Sequence, residues 1–210
     1  MRIPSFPRLS QRGTTLVEVL VTVVILAFGL LGIAALQAKA QVGTVESYQR
    51  AQAVVLLQDM RARLSSNRAD AANYVSTGDG AGAAASAYAV NGALGTGDKA
   101  PADCSGEAGT AAQDLCTWSN MLKGASEVDS GSKAQVGAMI GAVGCIEQLQ
   151  PENAAAGVCQ PGIYRLSVAW QGMHPTKAPS LSCGSGLFGT DDSNRRTIAV
   201  QVAIGLPHCS

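Results

Sequence analysis

From Leu16 to Leu36 the chain is almost wholly apolar, and no other feature constrains its fold as strongly. At 1.5 Å rise per residue these roughly 21 residues extend about 30 Å, the hydrocarbon thickness of a bilayer. Gly29 and Gly32 lie inside the run; they weaken a helix in water but are common in membrane helices, where they let backbones approach. One acid, Glu18, sits near the start of the run. Insertion scales charge on the order of 3 kcal/mol for an Asp, Lys or Arg at mid-membrane, so an ionisable residue here signals a function and a partner.

The helical pattern continues beyond Leu36. Val42, Val45, Tyr48, Gln52, Leu56, Met60 and Leu64 recur every three or four residues, and no proline interrupts Thr14 to Asn67. The spacing predicts one helix of about 50 residues, near 75 Å long. Its first half is membrane-buried and its second half amphipathic, with an apolar stripe that needs a surface to cover.

Past Asn67 the chain becomes Gly/Ala-rich and reads as a long loop, with a short strand expected at Ala87 to Leu94. Leu115, Trp118 and Leu122 stand at helical spacing and predict a short helix over residues 111–123. Two segments then alternate with period two. Tyr164, Leu166, Val168 and Trp170 mark one strand; Ile198, Val200, Val202 and Ile204 mark another. A further strand is expected from Met139 to Ile146, turning through the 150s into the Tyr164 strand. The expected class is α+β: a long N-terminal helix packed on a small antiparallel β-sheet, with an organisation of residues 1–13, 14–36, 37–68 and 69–210.

Only 14% of the residues are charged, which suits a small core with long loops. The formal charge of zero hides an asymmetry: Arg2, Arg8 and Arg12 precede the apolar run with no acid among them. From Asp70 onward 7 basic residues face 12 acidic ones, which argues against nucleic-acid contact. The six cysteines, Cys104, Cys116, Cys145, Cys159, Cys183 and Cys209, all follow the apolar run. An even number beyond an export segment points to disulfides in an oxidising compartment. Nearest-neighbour pairs, 104–116, 145–159 and 183–209, are expected because each closes a turn-like loop. No C-x-x-C occurs and His174 and His208 stand apart, so no metal site is expected.

A secretory signal peptide is one reading of the N-terminus, with cleavage after Ala38-Lys39-Ala40 and release of a disulfide-bonded binding domain. The apolar run exceeds an ordinary signal core, and the stripe passes through that cleavage point. Neither this reading nor a plain single-pass anchor gives Glu18 a role. Gly13 followed by TTLVEV resembles the leader junction of type IV pilins and pseudopilins: a basic leader ending in Gly, a small or apolar residue, Thr-Leu, an apolar residue and Glu. The run VLVTVVILAFGLLGIAALQ, the Trp118 helix and IYRLSVAWQG resemble minor pilins of that family.

The resemblance implies that a prepilin peptidase cuts after Gly13 on the cytoplasmic side and methylates the new amine on Thr14, where the family usually carries Phe or Met. It implies a pilin-like, disulfide-stapled domain outside the inner membrane, later carried to the pilus and cell surface. The implied partners are other minor pilins, the major pilin and the pilus assembly platform. Glu18 would lie about 6 Å from Thr14 by helix rise and pair with an amine, its own or that of a staggered neighbour, in a low dielectric that magnifies the attraction. The same N-terminus would serve a minor pseudopilin of a type II secretion system.

Other motifs carry less. Gly184-Ser185-Gly186-Leu187-Phe188-Gly189 matches G-x-G-x-x-G but lacks the preceding strand and following helix that a dinucleotide site requires. Asp191-Asp192-Ser193-Asn194 could gather oxygens around calcium and reads better as a solvated turn. Arg195 and Arg196 read as an exposed strand start, or as a face for a neighbouring subunit. Trp118 and Trp170 read as core. No nucleophile–base pair emerges, so neither enzymatic activity nor a cofactor is expected.

Overall fold

The computed structural model describes residues 13–77, 82–125, 130–131 and 139–206. The chain divides into two compact units, Met1–Thr44 and Val45–Ser210. Helix α1, Leu16–Ser66, passes through the boundary unbroken.

In the first unit every described residue up to Gln41 is exposed, including Leu16 at 81% and Phe28 at 71%. The helix is long and apolar enough to cross a membrane. Its few hydroxyls fold back onto the backbone: Thr22 Oγ1 donates to the Val19 carbonyl at 2.8 Å and Thr44 Oγ1 to that of Ala40 at 2.7 Å. Such bonds hide polarity from an apolar surrounding.

In the second unit the buried face of α1 is Gln49, Ala53, Leu56, Leu57, Met60 and Leu64. This corrects the expected stripe, because Val45 and Tyr48 are exposed and Gln52 is half-buried. At 3.6 residues per turn, a step of four residues overshoots a full turn by about 40°. The run 52, 56, 60, 64 therefore drifts by about a third of a turn, and the face toward the core returns through Ala53 and Gln49 instead.

After α1 come a 3-10 turn at Arg68–Tyr74 and helix α2, Ala83–Tyr88. Strand β1 is only Leu94–Gly95, so most of the strand expected from Ala87 is helix end and tight turn, with Asn91 and Gly92 at positive φ. Helix α3, Thr110–Leu122, lies where it was expected. Strands β2, Val143–Gln150, β3, Gly162–Gln171, and β4, Arg195–Ile204, follow. The sheet is antiparallel in the order β1-β2-β3-β4. The architecture is α+β, a long helix on a four-stranded sheet with disulfides.

One face of the sheet carries the main core. Tyr164, Leu166, Val168 and Trp170 of β3 join Val202 and Ile204 of β4 and the buried residues of α1 and α3. Trp118 of α3 is fully buried, and its indole N–H donates to the Leu56 carbonyl of α1 at 3.0 Å. Gly144 of β2 makes room for it: a Cβ there would lie 2.1 Å from the indole ring. Asp114 of α3 accepts from Tyr74 at 2.5 Å and from Arg63 at 2.8 Å, while Arg63 also reaches Asp59 at 2.7 Å. One carboxylate thus ties α3 to α1 and to the turn after it.

The opposite face has a second, smaller core of Ala93, Val143, Cys145, Ala169, Cys183 and Phe188. Residues Ser182 to Gly189 fold over it in a series of turns, with Gly184, Gly186 and Gly189 at positive φ. The G-x-G-x-x-G match is part of this cover.

Candidate functional site

The N-terminal site is built on the first turn of α1. Gly13, Thr14 and Thr15 precede the helix, which starts at Leu16. The Glu18 N–H faces Thr15, lying 3.1 Å from its carbonyl and 3.3 Å from its Oγ1. Thr15 with Glu18 three residues later is the T-x-x-E pattern of a capping box, and the Thr half of that box is formed. Sequence reasoning passed over Thr15; the capping pattern was the signal that finds it. Glu18 also lies in the first turn, where the positive end of the helix dipole favours a carboxylate.

Gly13 has nothing within 4 Å of where a Cβ would be, and its φ is not positive. Neither packing nor backbone conformation in this chain demands a glycine there. The same open space surrounds Gly29 and Gly32. Thr14 is exposed and non-helical, so helix rise applies only from Leu16 onward. The N-terminal arginines Arg2, Arg8 and Arg12 lie outside the described residues.

The cysteines are distributed differently from the expected set. Cys104 pairs with Cys116, as expected, with Cα atoms 5.8 Å apart. Cys145 pairs with Cys183, Cα to Cα 5.7 Å, which overturns both 145–159 and 183–209. The reason is the pleat. Cys145 sits opposite Ser167 in the β2–β3 register and faces the second core, where the loop around Cys183 is packed. Cys159 is also disulfide-bonded; Cys209 and His208 lie outside the described residues.

Arg195 and Arg196 are not the exposed strand start that was expected. Arg195 is buried and donates to the carbonyls of Leu181 at 2.5 Å, Cys183 at 2.8 Å and Pro179 at 3.2 Å. Its Nε is 3.2 Å from Asp192, within ion-pairing distance though not aligned for a hydrogen bond. Burial alone would raise the Asp192 pKa, but hydrogen bonds from Ser185 and Gly186 and the Arg195 charge hold it below the ordinary carboxylate value. Arg196 donates to the His174 carbonyl at 2.5 Å and to Thr176 Oγ1 at 2.7 Å, and pairs with Glu46 of α1 at 3.4 Å. The Asp191–Asn194 stretch thus serves as a hydrogen-bonded turn. Trp118 and Trp170 are core residues.

Residues 8–34 match the family described as the prokaryotic N-terminal methylation motif. This is a prepilin-type signal, and the match takes in most of the apolar run at the start of α1. The two together fit a membrane-anchored protein of type IV pilin or pseudopilin kind, and the signal implies processing by prepilin peptidase and pilus or pseudopilus assembly machinery. No curated protein and no solved structure matches the chain.

Proposed function

We propose that the protein is a minor pilin of a type IV pilus, similar to the type IV pilus modification protein PilV. Prepilin peptidase removes residues 1–13 and methylates Thr14. The helix then holds the chain in the inner membrane as a single pass, with its disulfide-bonded domain in the periplasm, until other minor pilins, the major pilin and the assembly platform draw it into the pilus. There it primes or initiates assembly, stands at or near the tip and so serves twitching motility. Its role is structural, without catalysis or cofactor. The observation that carries this reading is the methylation-motif match over residues 8–34, which takes in most of the exposed apolar run that opens α1.

Glu18 supplies register in this proposal. Its carboxylate is costly in lipid when alone and is satisfied by the amine of a staggered neighbour. Because Thr15 already caps the Glu18 N–H, two variants separate local from intermolecular roles. Glu18→Gln keeps a residue able to complete the capping box and removes the charge; Glu18→Ala removes both. Both variants are expected to insert and be cleaved normally, and both to be depleted from sheared pili. Normal incorporation of Glu18→Gln overturns the register argument. N-terminal sequencing of the mature chain should begin at Thr14; a start at Gln41 overturns the pilin reading. The same motif serves minor pseudopilins of type II secretion, and deletion decides between them: loss of piliation and twitching supports the pilin, loss of protein secretion the pseudopilin.

A further inference from the structure

Strand β4 is the last in the sheet, so alternate N–H and C=O groups along its outer edge have no strand to pair with. Helix α1 runs beside it: Glu46 of the helix meets Arg196 at one end, and Arg68, in the 3-10 turn just after the helix, lines a pocket with Ile204 at the other. Between them lies an open groove of about 400 Å³. Its apolar lining comes from Val54 and Leu57 of the helix and Ile198 and Val200 of the strand, and Arg50 and Arg61 stand at its two ends. Positions 50, 54, 57 and 61 form one stripe of a helix, adjoining the buried face.

The charge is unbalanced. Arg63, Arg165, Arg195 and Arg196 each have a carboxylate, whereas Arg50 and Arg61 have none among the described residues. Eleven residues of helix separate them by about 16 Å, the length of about five residues of β-strand. An open strand edge, an apolar channel alongside it and two unpaired cations a short strand apart are complementary to a single kind of ligand.

We propose that this groove receives an extended, acidic and apolar segment of a partner protein, which adds to β4 as a fifth strand. Main-chain hydrogen bonds to β4 hold the segment, its apolar side chains enter between Val54 and Val200, and its carboxylates pair with Arg50 and Arg61. The groove lies wholly within the second unit, and the proposal stands whether or not the anchored helix assembles into a pilus.

The test uses the full chain in lipid nanodiscs and a fluorescent synthetic peptide of about ten residues, alternating valine and threonine with two glutamates about five positions apart. Fluorescence anisotropy should show binding that weakens with salt. The double variant Arg50→Glu, Arg61→Glu should weaken it roughly tenfold, as expected for two exposed ion pairs. A peptide with lysines for the glutamates should bind the double variant better than the wild type. A peptide N-methylated at alternate backbone nitrogens, made in both registers, should lose binding in one register. The proposal is overturned if the acidic peptide does not bind, if charge reversal has no effect, or if both methylated peptides bind as well as the parent. A dimer of the chain that the double variant dissociates would overturn it in favour of a second copy in the groove.

Discussion

Two single residues hold the layers of the domain together, and each predicts a measurable loss. Gly144 lets the Trp118 ring lie against β2, so Gly144→Ala forces α3 off the sheet. The cost of such overpacking is about 2 kcal/mol or more, read as a lower urea midpoint with near-ultraviolet dichroism of the tryptophan altered. Arg195 serves three loop carbonyls from a buried position. Arg195→Met leaves them without donors and should cost about 3 kcal/mol, whereas Arg196→Met, whose pair with Glu46 is longer and partly exposed, should lose less. Nothing in the residues 195–196 announces that difference, because both are arginines at the start of a strand. The loop that folds back over the second face makes it, and loops of that kind have no periodicity to read.

At the scale of elements, the parts legible in the sequence are those with a long, regular pattern. Helix α1, helix α3 and strands β3 and β4 emerged because burial on one face repeats over ten or more residues. The segment around β1 did not, since two strand residues leave no period to detect. The helix start was legible only as an apolar run, and its Thr15 cap needed a rule about termini. The joints between elements carry a pH signature. Tyr74, Tyr88 and Tyr164 each have a pKa raised above the ordinary 10.0, first by burial and then by hydrogen bonds to Asp114, Glu107 and Glu152; that of Tyr88 is pushed up to about 12. A raised folded-state value stabilises the fold below the unfolded-state value and loses that contribution as pH climbs through the folded one. Stability should therefore fall above pH 10, with tyrosinate absorbance rising together with loss of helix by circular dichroism. The measurement is made in a Tyr48→Phe background, because Tyr48 is exposed; tyrosinate formation there well below the unfolding transition would contradict this linkage.

Across the whole molecule, the disulfides among the described residues close one long loop and one short one. In the chain-entropy account, replacing Cys145 and Cys183 with serine removes a loop of separation 38 and should cost about 4 kcal/mol, against about 3 kcal/mol for the Cys104–Cys116 loop of separation 12. Urea unfolding of the two double variants measures both. Proximity along the chain was a poor guide to the pairing because it ignores which face of a strand each thiol occupies. Cys145 is committed by its register to the face away from α1, and the loop that carries Cys183 packs on that face.

That pairing also bears on how the protein is made. Cys159 lies between Cys145 and Cys183 in the chain, and all of β3 must be synthesised before Cys183 appears. If a thiol oxidase joins cysteines in order of emergence, it traps Cys145 with Cys159 first. Release from that trap takes thiol–disulfide exchange through a mixed disulfide, so the yield of correctly closed domain depends on an isomerase and not on an oxidase alone.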